Sequence, residues 1–169
     1  DKVVYVRDLR TGQDLPDVLK HMRFSGTSWA ADNSGFYFNR YPIPGTVPAD
    51  QERLNNKLYF HKLGADPLAP TLVYERPDAP QLSLYGGVSR DGTLLFVYET
   101  DGTDPKNGLL VERLDREGND FVRIVHPGIT DIRPIENDGT TIYAIVDLDA
   151  PRRKLVAIDL DRPEPRHWK

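Results

Sequence analysis

A short motif recurs along this chain at intervals of about fifty residues. In each copy, aliphatic and aromatic residues are followed by polar or turn-forming residues, a pattern typical of β-strands. The copies are Lys57–Leu63, Gly108–Leu114 and Lys154–Leu160, and Val4–Leu9 matches their last six positions. The leucines that end the four copies are 54, 51 and 46 residues apart. Repeats of this period are characteristic of the four-stranded blades of β-propellers.

A hairpin signal precedes each of the last three copies. Asp32–Gly35, Arg90–Gly92 and Asn137–Gly139 each lead into an apolar run, and such turn sequences supply the positive φ that tight hairpins need. Further strands are predicted before these turns and after the repeated motif, at 27–31, 86–89, 131–135, 71–75 and 121–125. Each unit is therefore predicted to be an antiparallel meander whose inner strands are packed on both faces.

These units predict an all-β chain, a β-propeller segment of about three four-stranded antiparallel blades. The expected division is the end of one blade at 1–20, complete blades at 24–76 and 82–126, and most of another at 129–160. A propeller closes with roughly 4 to 8 blades. We therefore expect the chain to be a segment of a longer protein, or to complete a ring with partner chains.

The composition indicates a soluble protein and argues against several function classes. The 169 residues are 38% hydrophobic, with a net charge of −4. Lys and Arg are scattered, whereas a nucleic-acid surface needs a basic stripe, and the longest apolar runs fall far short of the roughly 20 residues of a membrane helix. We therefore expect neither a nucleic-acid nor a membrane partner, and the absence of cysteine leaves a cytoplasmic or a periplasmic location open.

One predicted connection is unusually long. Tyr41–Asn56 joins the second and third strands of the first complete blade, although hairpin loops normally have two to five residues. A tolerated surface insertion and a contact loop at one end of the propeller are equally compatible with this segment.

No part of the chain predicts catalysis. Gly26–Ala30 resembles a nucleophile elbow, but a helix must follow such an elbow and a hairpin is predicted here. The four histidines form no local metal pair. His61 is predicted to face solvent, since Arg7 and Glu112 occupy the equivalent repeat positions, and His126 is predicted to lie in a turn. We expect no catalytic residue, metal ion or cofactor.

Several stretches together resemble the propeller domain of prolyl oligopeptidase, a serine peptidase family that cleaves short peptides after proline. They occur in the family's order and spacing, from near the start of the chain to its end. They are Thr11–Leu19, Phe24–Ser25, Trp29, Asn39–Pro42, Asn56–Gly64, Pro77–Pro80, Gly86–Gly87, Gly102–Asn107 and Arg166–Lys169.

The resemblance implies a seven-bladed propeller that caps an α/β-hydrolase domain. In the family, that second domain carries the catalytic Ser, Asp and His, and it is not expected in this chain, which matches only the middle-to-late blades. The implied partners are the hydrolase domain, the remaining blades and short proline-containing peptides. The implied substrate-binding residues are Phe24, Tyr85 and Thr103. Family members often carry Met at the Tyr85 position and Cys at the Thr103 position, so the pocket's polarity and shape are expected to differ here.

The expected function is therefore that of a gating and substrate-contacting propeller segment of a prolyl oligopeptidase-type serine peptidase. The segment alone is expected to be inactive. Two alternatives stay open: a stand-alone propeller that acts as an interaction scaffold, and the propeller of a related oligopeptidase, such as oligopeptidase B.

Overall fold

A computed structural model describes residues 2–118 and 120–169 of the chain. In this part of the chain, thirteen strands form four antiparallel sheets, and the helical residues form two short 3-10 turns, Ala49–Gln51 and Pro165–His167. The predicted all-β propeller segment is confirmed. The chain divides into two compact units, Asp1–Gly86 and Gly87–Lys169.

The first two sheets lie within the first unit. The first sheet pairs β1 (Val4–Asp8) with β2 (Gln13–Leu19). The second has the order β3-β4-β5-β6. Its strands are β3 (Thr27–Trp29), β4 (Gly35–Arg40), β5 (Lys57–Lys62) and β6 (Thr71–Tyr74).

The last two sheets follow in the same meander pattern. The third has the order β10-β9-β8-β7 and the fourth the order β11-β12-β13. The strands of the third are β7 (Ser83–Val88), β8 (Leu94–Thr100), β9 (Gly108–Arg113) and β10 (Val122–Val125). Those of the fourth are β11 (Ile132–Asp138), β12 (Thr141–Val146) and β13 (Lys154–Asp159).

Two prolines lie inside strands, and both strands are at the edge of their sheets. Pro16 in β2 lies opposite the point where the register with β1 shifts, between Tyr5 and Arg7. Pro134 in β11 directly precedes a second shift, at Glu136. Because proline lacks an N–H group, edge strands and bulges are the positions in a sheet that tolerate it.

Each unit has its own apolar core. In the first unit, Val6 and Leu19 of the first sheet pack with Met22 and with Phe36 and Phe38 of the second. In the second unit, alternate residues of β8 and β9, such as Leu94, Phe96 and Val111, pack with those of β12 and β13. The central strands of both units thus bury both faces, as the repeat predicts.

His61 was predicted to face solvent, and this prediction is wrong. The side chain is fully buried in β5, where Nε2 lies 2.7 Å from Oδ1 of Asp17, itself buried in β2. Glu112, at the equivalent position of β9, is also buried. A central strand has no solvent face, so its polar residues need buried partners. Arg7 on β1 is exposed and pairs with Asp14, and His126 is exposed beside Pro127 and Gly128.

Candidate substrate-contact site

The connection between β2 and β3 turns sharply and exposes an aromatic side chain. His21 and Phe24 both have positive φ, 60° and 57°, in the left-handed region that costs a non-glycine residue about 1–3 kcal/mol. Between them, Met22 is buried, and its N–H donates to the carbonyl of Lys2 at 3.0 Å. The side chain of Phe24 remains 55% exposed. The backbone here is therefore held in a strained form that buries one residue and presents another.

Two buried asparagines hold this turn in place. The Asn39 side chain accepts from the Gly26 N–H at 2.9 Å and donates to the Phe24 carbonyl at 3.2 Å. It also donates to Oδ1 of Asn56 at 3.3 Å, and the same oxygen accepts from the Leu84 N–H at 2.9 Å. This network joins the Phe24 turn, the end of β4 and the start of β7. Because buried amides keep their hydrogen-bond partners, the network fixes the Phe24 backbone.

Tyr85 lies beside the same turn. Its ring is near Gly26, where a Cβ atom would lie 3.7 Å from Tyr85 Cδ1. Burial raises the pKa of Tyr85, and the nearby Tyr41 raises it further, so Tyr85 is an un-ionised phenol at neutral pH. Tyr41 in turn shares a 2.6 Å hydrogen bond between its hydroxyl and that of Ser83. The structure thus brings Tyr85 and the Phe24 turn together and adds Tyr41.

The long connection Tyr41–Asn56 shares a cavity with this turn. The cavity has a volume of about 200 Å³ and is lined by Arg23 and Phe24 of the turn and by Tyr41 and Arg53 of the connection. Within the connection, Oε1 of Glu52 accepts from the Gly45 N–H at 3.1 Å. The insertion therefore lies beside the exposed aromatic across a shared cavity, although the sequence left its role open.

Thr103, the third predicted residue, belongs to the second unit. It is exposed on the loop between β8 and β9, directly after Gly102, whose φ is 53°. The loop is closed by the Asp104 N–H, which donates to the Asp101 carbonyl at 3.0 Å, and by the Lys106 N–H, which donates to Oδ1 of Asp104 at 2.9 Å. The hydroxyl of Thr103 therefore lies on a short turn that is closed by its own hydrogen bonds.

The sequence contains a signal for the asparagine network. Asn56 and Asn107 both directly precede the third strand of their sheets, 51 residues apart. Asn107 exchanges two hydrogen bonds of 3.1 Å with the backbone of Ile132, at the start of β11. Each asparagine therefore binds the first strand of the following sheet. Repeated buried amides of this kind are found by aligning the repeats with one another.

The elbow-like segment Gly26–Ala30 does not form an elbow. Ser28 lies in β3 opposite Tyr37, and β4 follows after a tight turn. No cluster of three or more potential metal ligands occurs among residues 2–118 and 120–169. In the same residues, no helix has the length and apolar character needed to cross a bilayer.

The whole chain matches one family model. Residues 1–169 match "Prolyl oligopeptidase, N-terminal beta-propeller domain".

Curated relatives share this similarity. The chain is 30% identical over 155 residues to the dual function macrocyclase-peptidase POPB of Galerina marginata, an alignment covering 89% of this chain and 21% of that protein. It is 29% identical over 168 residues to the prolyl endopeptidase of Elizabethkingia miricola, covering 98% and 23%. The chain thus spans less than a quarter of the length of these relatives.

Solved structures of related proteins have the same fold as this chain over almost its whole length. A structure from a study of two prolyl endopeptidases superposes with a TM-score of 0.86 at 27% identity, over 99% of this chain and 24% of that one. Prolyl oligopeptidase B from Galerina marginata, bound to a 35mer hydrolysis and macrocyclization substrate, superposes with a TM-score of 0.84 at 28% identity, over 99% and 25%. Four antiparallel sheets in meander order and a family match along the whole sequence lead to one assignment: the chain belongs to the prolyl oligopeptidase family, within its N-terminal β-propeller domain.

Proposed function

We propose that this chain is a gating and substrate-contacting part of the propeller of a serine peptidase that hydrolyses short peptides after proline. Membership of the family supports the reaction class, and relatives named prolyl endopeptidase support the specificity. The proposed partners are the remaining blades and an α/β-hydrolase domain. That domain supplies a Ser-His-Asp triad, which forms and then hydrolyses an acyl-enzyme. The proposed blades of this chain are 1–20, 24–76, 82–126 and 129–160.

The proposed substrate contacts are Phe24, Tyr85 and Thr103. The observation that carries this proposal is the Phe24 turn: a large aromatic is more than half exposed on a left-handed backbone that two buried asparagines hold in place. Strained backbone of this kind is concentrated at functional sites. An exposed ring on a backbone that is already held in place offers apolar surface to a peptide side chain at reduced entropic cost.

The gating role rests on the long connection between β4 and β5. Residues of Tyr41–Asn56, among them Tyr41 and Arg53, line the cavity beside Phe24. The proposed role of this connection is to let a peptide pass to Phe24 and to hold back a folded protein, which is too large for this cavity. Excluding folded proteins protects them from cleavage by the triad.

The test is made in the natural full-length protein with two chromogenic peptides. They carry the same proline and differ upstream of it, with Phe in one and Gly in the other. Phe24→Ala is expected to lower kcat/KM about tenfold for the Phe peptide and little for the Gly peptide, since an apolar contact is worth about 1–3 kcal/mol. The matched control is Leu9→Ala, which removes an apolar side chain that is 91% exposed outside the site.

Four outcomes contradict the proposal. An equal loss on both peptides assigns Phe24 a structural role, and no loss removes it from the site. Cleavage after basic residues in place of proline indicates an oligopeptidase B-like enzyme, and absence of any peptidase activity favours an interaction scaffold.

A further inference from the structure

Arg40, the last residue of β4, is a buried cation that has no anionic partner among the residues that the structure describes. Only 7% of the residue is exposed. Its guanidinium carbon lies 5.7 Å from the ring centre of Phe38 and 5.4 Å from that of Tyr59. Within residues 2–118 and 120–169, no side chain or carbonyl accepts a hydrogen bond from it, and no carboxylate lies within ion-pair distance.

Other arginines of the chain are paired in the ordinary way. Arg7, Arg113 and Arg133 each bind a carboxylate, which raises the pKa of the guanidinium. Burial instead lowers the pKa of Arg40, and the nearby Tyr59 only partly offsets this. Burying a charge without a partner is unfavourable. Contact with two rings stabilises the cation, but it leaves the five N–H donors without acceptors.

A cavity of about 350 Å³ lies beside this residue. Arg40, Lys20 and His21 line it together with Asp66, and Ile43 and Leu68 form part of its apolar wall. The guanidinium nitrogens are not among the side-chain atoms that are sealed from solvent without a partner, so they reach accessible space. Asp66 is the opposing charge, and its Oδ1 accepts from the Leu68 N–H at 2.9 Å. The fixed charges of Arg40, Lys20 and Asp66 sum to a net positive value.

We propose that this cavity binds a carboxylate that carries a short apolar group. The planar guanidinium of Arg40 matches a carboxylate in a two-point hydrogen bond, Lys20 adds a second cation, and Ile43 and Leu68 receive the apolar part. Two sources offer this chemistry: a free short-chain carboxylic acid and the carboxyl end of a peptide. Phe24 does not line this cavity, although His21 borders both cavities, and the proposal does not depend on the peptidase reaction.

The test uses the natural full-length protein and sodium butyrate as the probe. At constant ionic strength, butyrate is expected to raise the thermal midpoint by a few degrees at millimolar concentrations, because a ligand that binds only the folded state stabilises it. Sodium chloride and butyramide, the uncharged isostere, are expected to give no such rise. A short peptide that ends in Leu, as free acid and as amide, identifies the source: a stronger effect of the acid than of butyrate indicates a peptide end.

Variants separate binding from packing. Arg40→Met keeps the aliphatic bulk and removes the charge, so it is expected to abolish the butyrate effect without lowering the thermal midpoint in its absence. Arg40→Lys is expected to retain a weaker effect. The matched control is Arg10→Met, which removes an exposed arginine and should leave the response unchanged. A butyrate response that persists in Arg40→Met overturns the proposal.

A second measurement needs no variant. Phenylglyoxal modifies accessible arginines, and peptide mass mapping reports each site separately. Butyrate is expected to slow modification of Arg40 several-fold and to leave Arg10 unaffected. Equal modification of Arg40 with and without butyrate overturns the proposal, as does a wild-type thermal midpoint that no carboxylate changes.

Discussion

Buried amide side chains decide where functional residues are placed in this protein. Asn39 and Asn56 are both almost fully buried, and together they bind the backbone of Phe24, Gly26 and Leu84. None of these contacts is part of a regular strand ladder. They help to hold the left-handed conformation of Phe24 against its intrinsic strain. The placement of the exposed Phe24 side chain therefore depends on the buried side chains of Asn39 and Asn56.

Replacing Asn56 with leucine tests this dependence. Asn56→Leu keeps the side-chain size but leaves the Leu84 N–H and one Asn39 N–H without an acceptor. We expect a loss of about 1–3 kcal/mol in the free energy of unfolding, measured by urea denaturation. Asn107→Leu is expected to lose a similar amount, because Asn107 binds Ile132 in the same way.

The control for this experiment is Gln51, an amide outside the asparagine network. Gln51 is exposed on the 3-10 turn Ala49–Gln51, so Gln51→Leu is expected to change the free energy of unfolding by less than about 0.5 kcal/mol. An effect of Asn56→Leu no larger than this would show that the asparagine network contributes nothing to the fold.

At the scale of elements, side chains in the turns connect sheets that the backbone leaves separate. The turn between β7 and β8 is built around Asp91. Its Oδ1 accepts from the Ser89 hydroxyl at 2.6 Å and from the Thr93 N–H at 3.1 Å. Its Oδ2 accepts from the Asn137 side chain at 2.8 Å, which joins this turn to the end of β11. One carboxylate thus closes a hairpin and binds the next sheet.

This arrangement makes a pH-dependent contribution to stability. Hydrogen bonds, chiefly from Ser89, lower the pKa of Asp91 from 3.8 to about 2. A lowered folded-state pKa means that the ionised form stabilises the fold above pH 3.8, and this contribution is lost as pH falls through about 2. Asp91→Asn is expected to lower the free energy of unfolding at neutral pH. It is also expected to make that free energy fall less steeply as pH drops from 3.8 to about 2. Urea midpoints measured across this pH range provide the test. If the midpoint of Asp91→Asn fell with acidification as steeply as that of the wild type, the prediction would be contradicted.

At the scale of the whole molecule, the chain supplies blades and the proposed chemistry lies elsewhere. The family model matches it from end to end, and the relatives are more than four times as long. The described residues contain four sheets and two short 3-10 turns. A serine triad of the α/β-hydrolase type needs a strand, a sharp turn and a helix to present its nucleophile, and the hairpin at Ser28 does not provide them.

The chain expressed alone as residues 1–169 is therefore expected to be inactive. Hydrolysis of a proline-containing chromogenic peptide should not exceed the background, and a serine-directed inhibitor should not label the protein. The full-length protein, assayed in parallel, is the positive control. Inhibitor-sensitive cleavage by the pure 169-residue chain would show that a nucleophile lies within it.

The periodicity of the sequence determined the strands and their order, because a strand that packs on both faces must be apolar along its length. The fifty-residue repeat predicted antiparallel meanders, and the turn signals at Asp91-Gly92 and Asp138-Gly139 placed two of their hairpins. These are local properties: each depends on a few neighbouring residues and on one alternation pattern. The same signals could not show that β7 begins at Ser83, since that start depends on a contact with Asn56.

Only the tertiary structure decided which polar residues are buried and which are exposed. His61, Glu112 and Arg40 are residue types that usually lie at protein surfaces, yet each is buried. Whether a polar side chain meets water or a partner depends on what the neighbouring sheet places against it, as Asp17 does for His61. Such partners lie dozens of residues away, so no local pattern encodes them. The Phe24 turn is a similar case, since its backbone is bound by the side chain of Asn39, which lies 15 residues away.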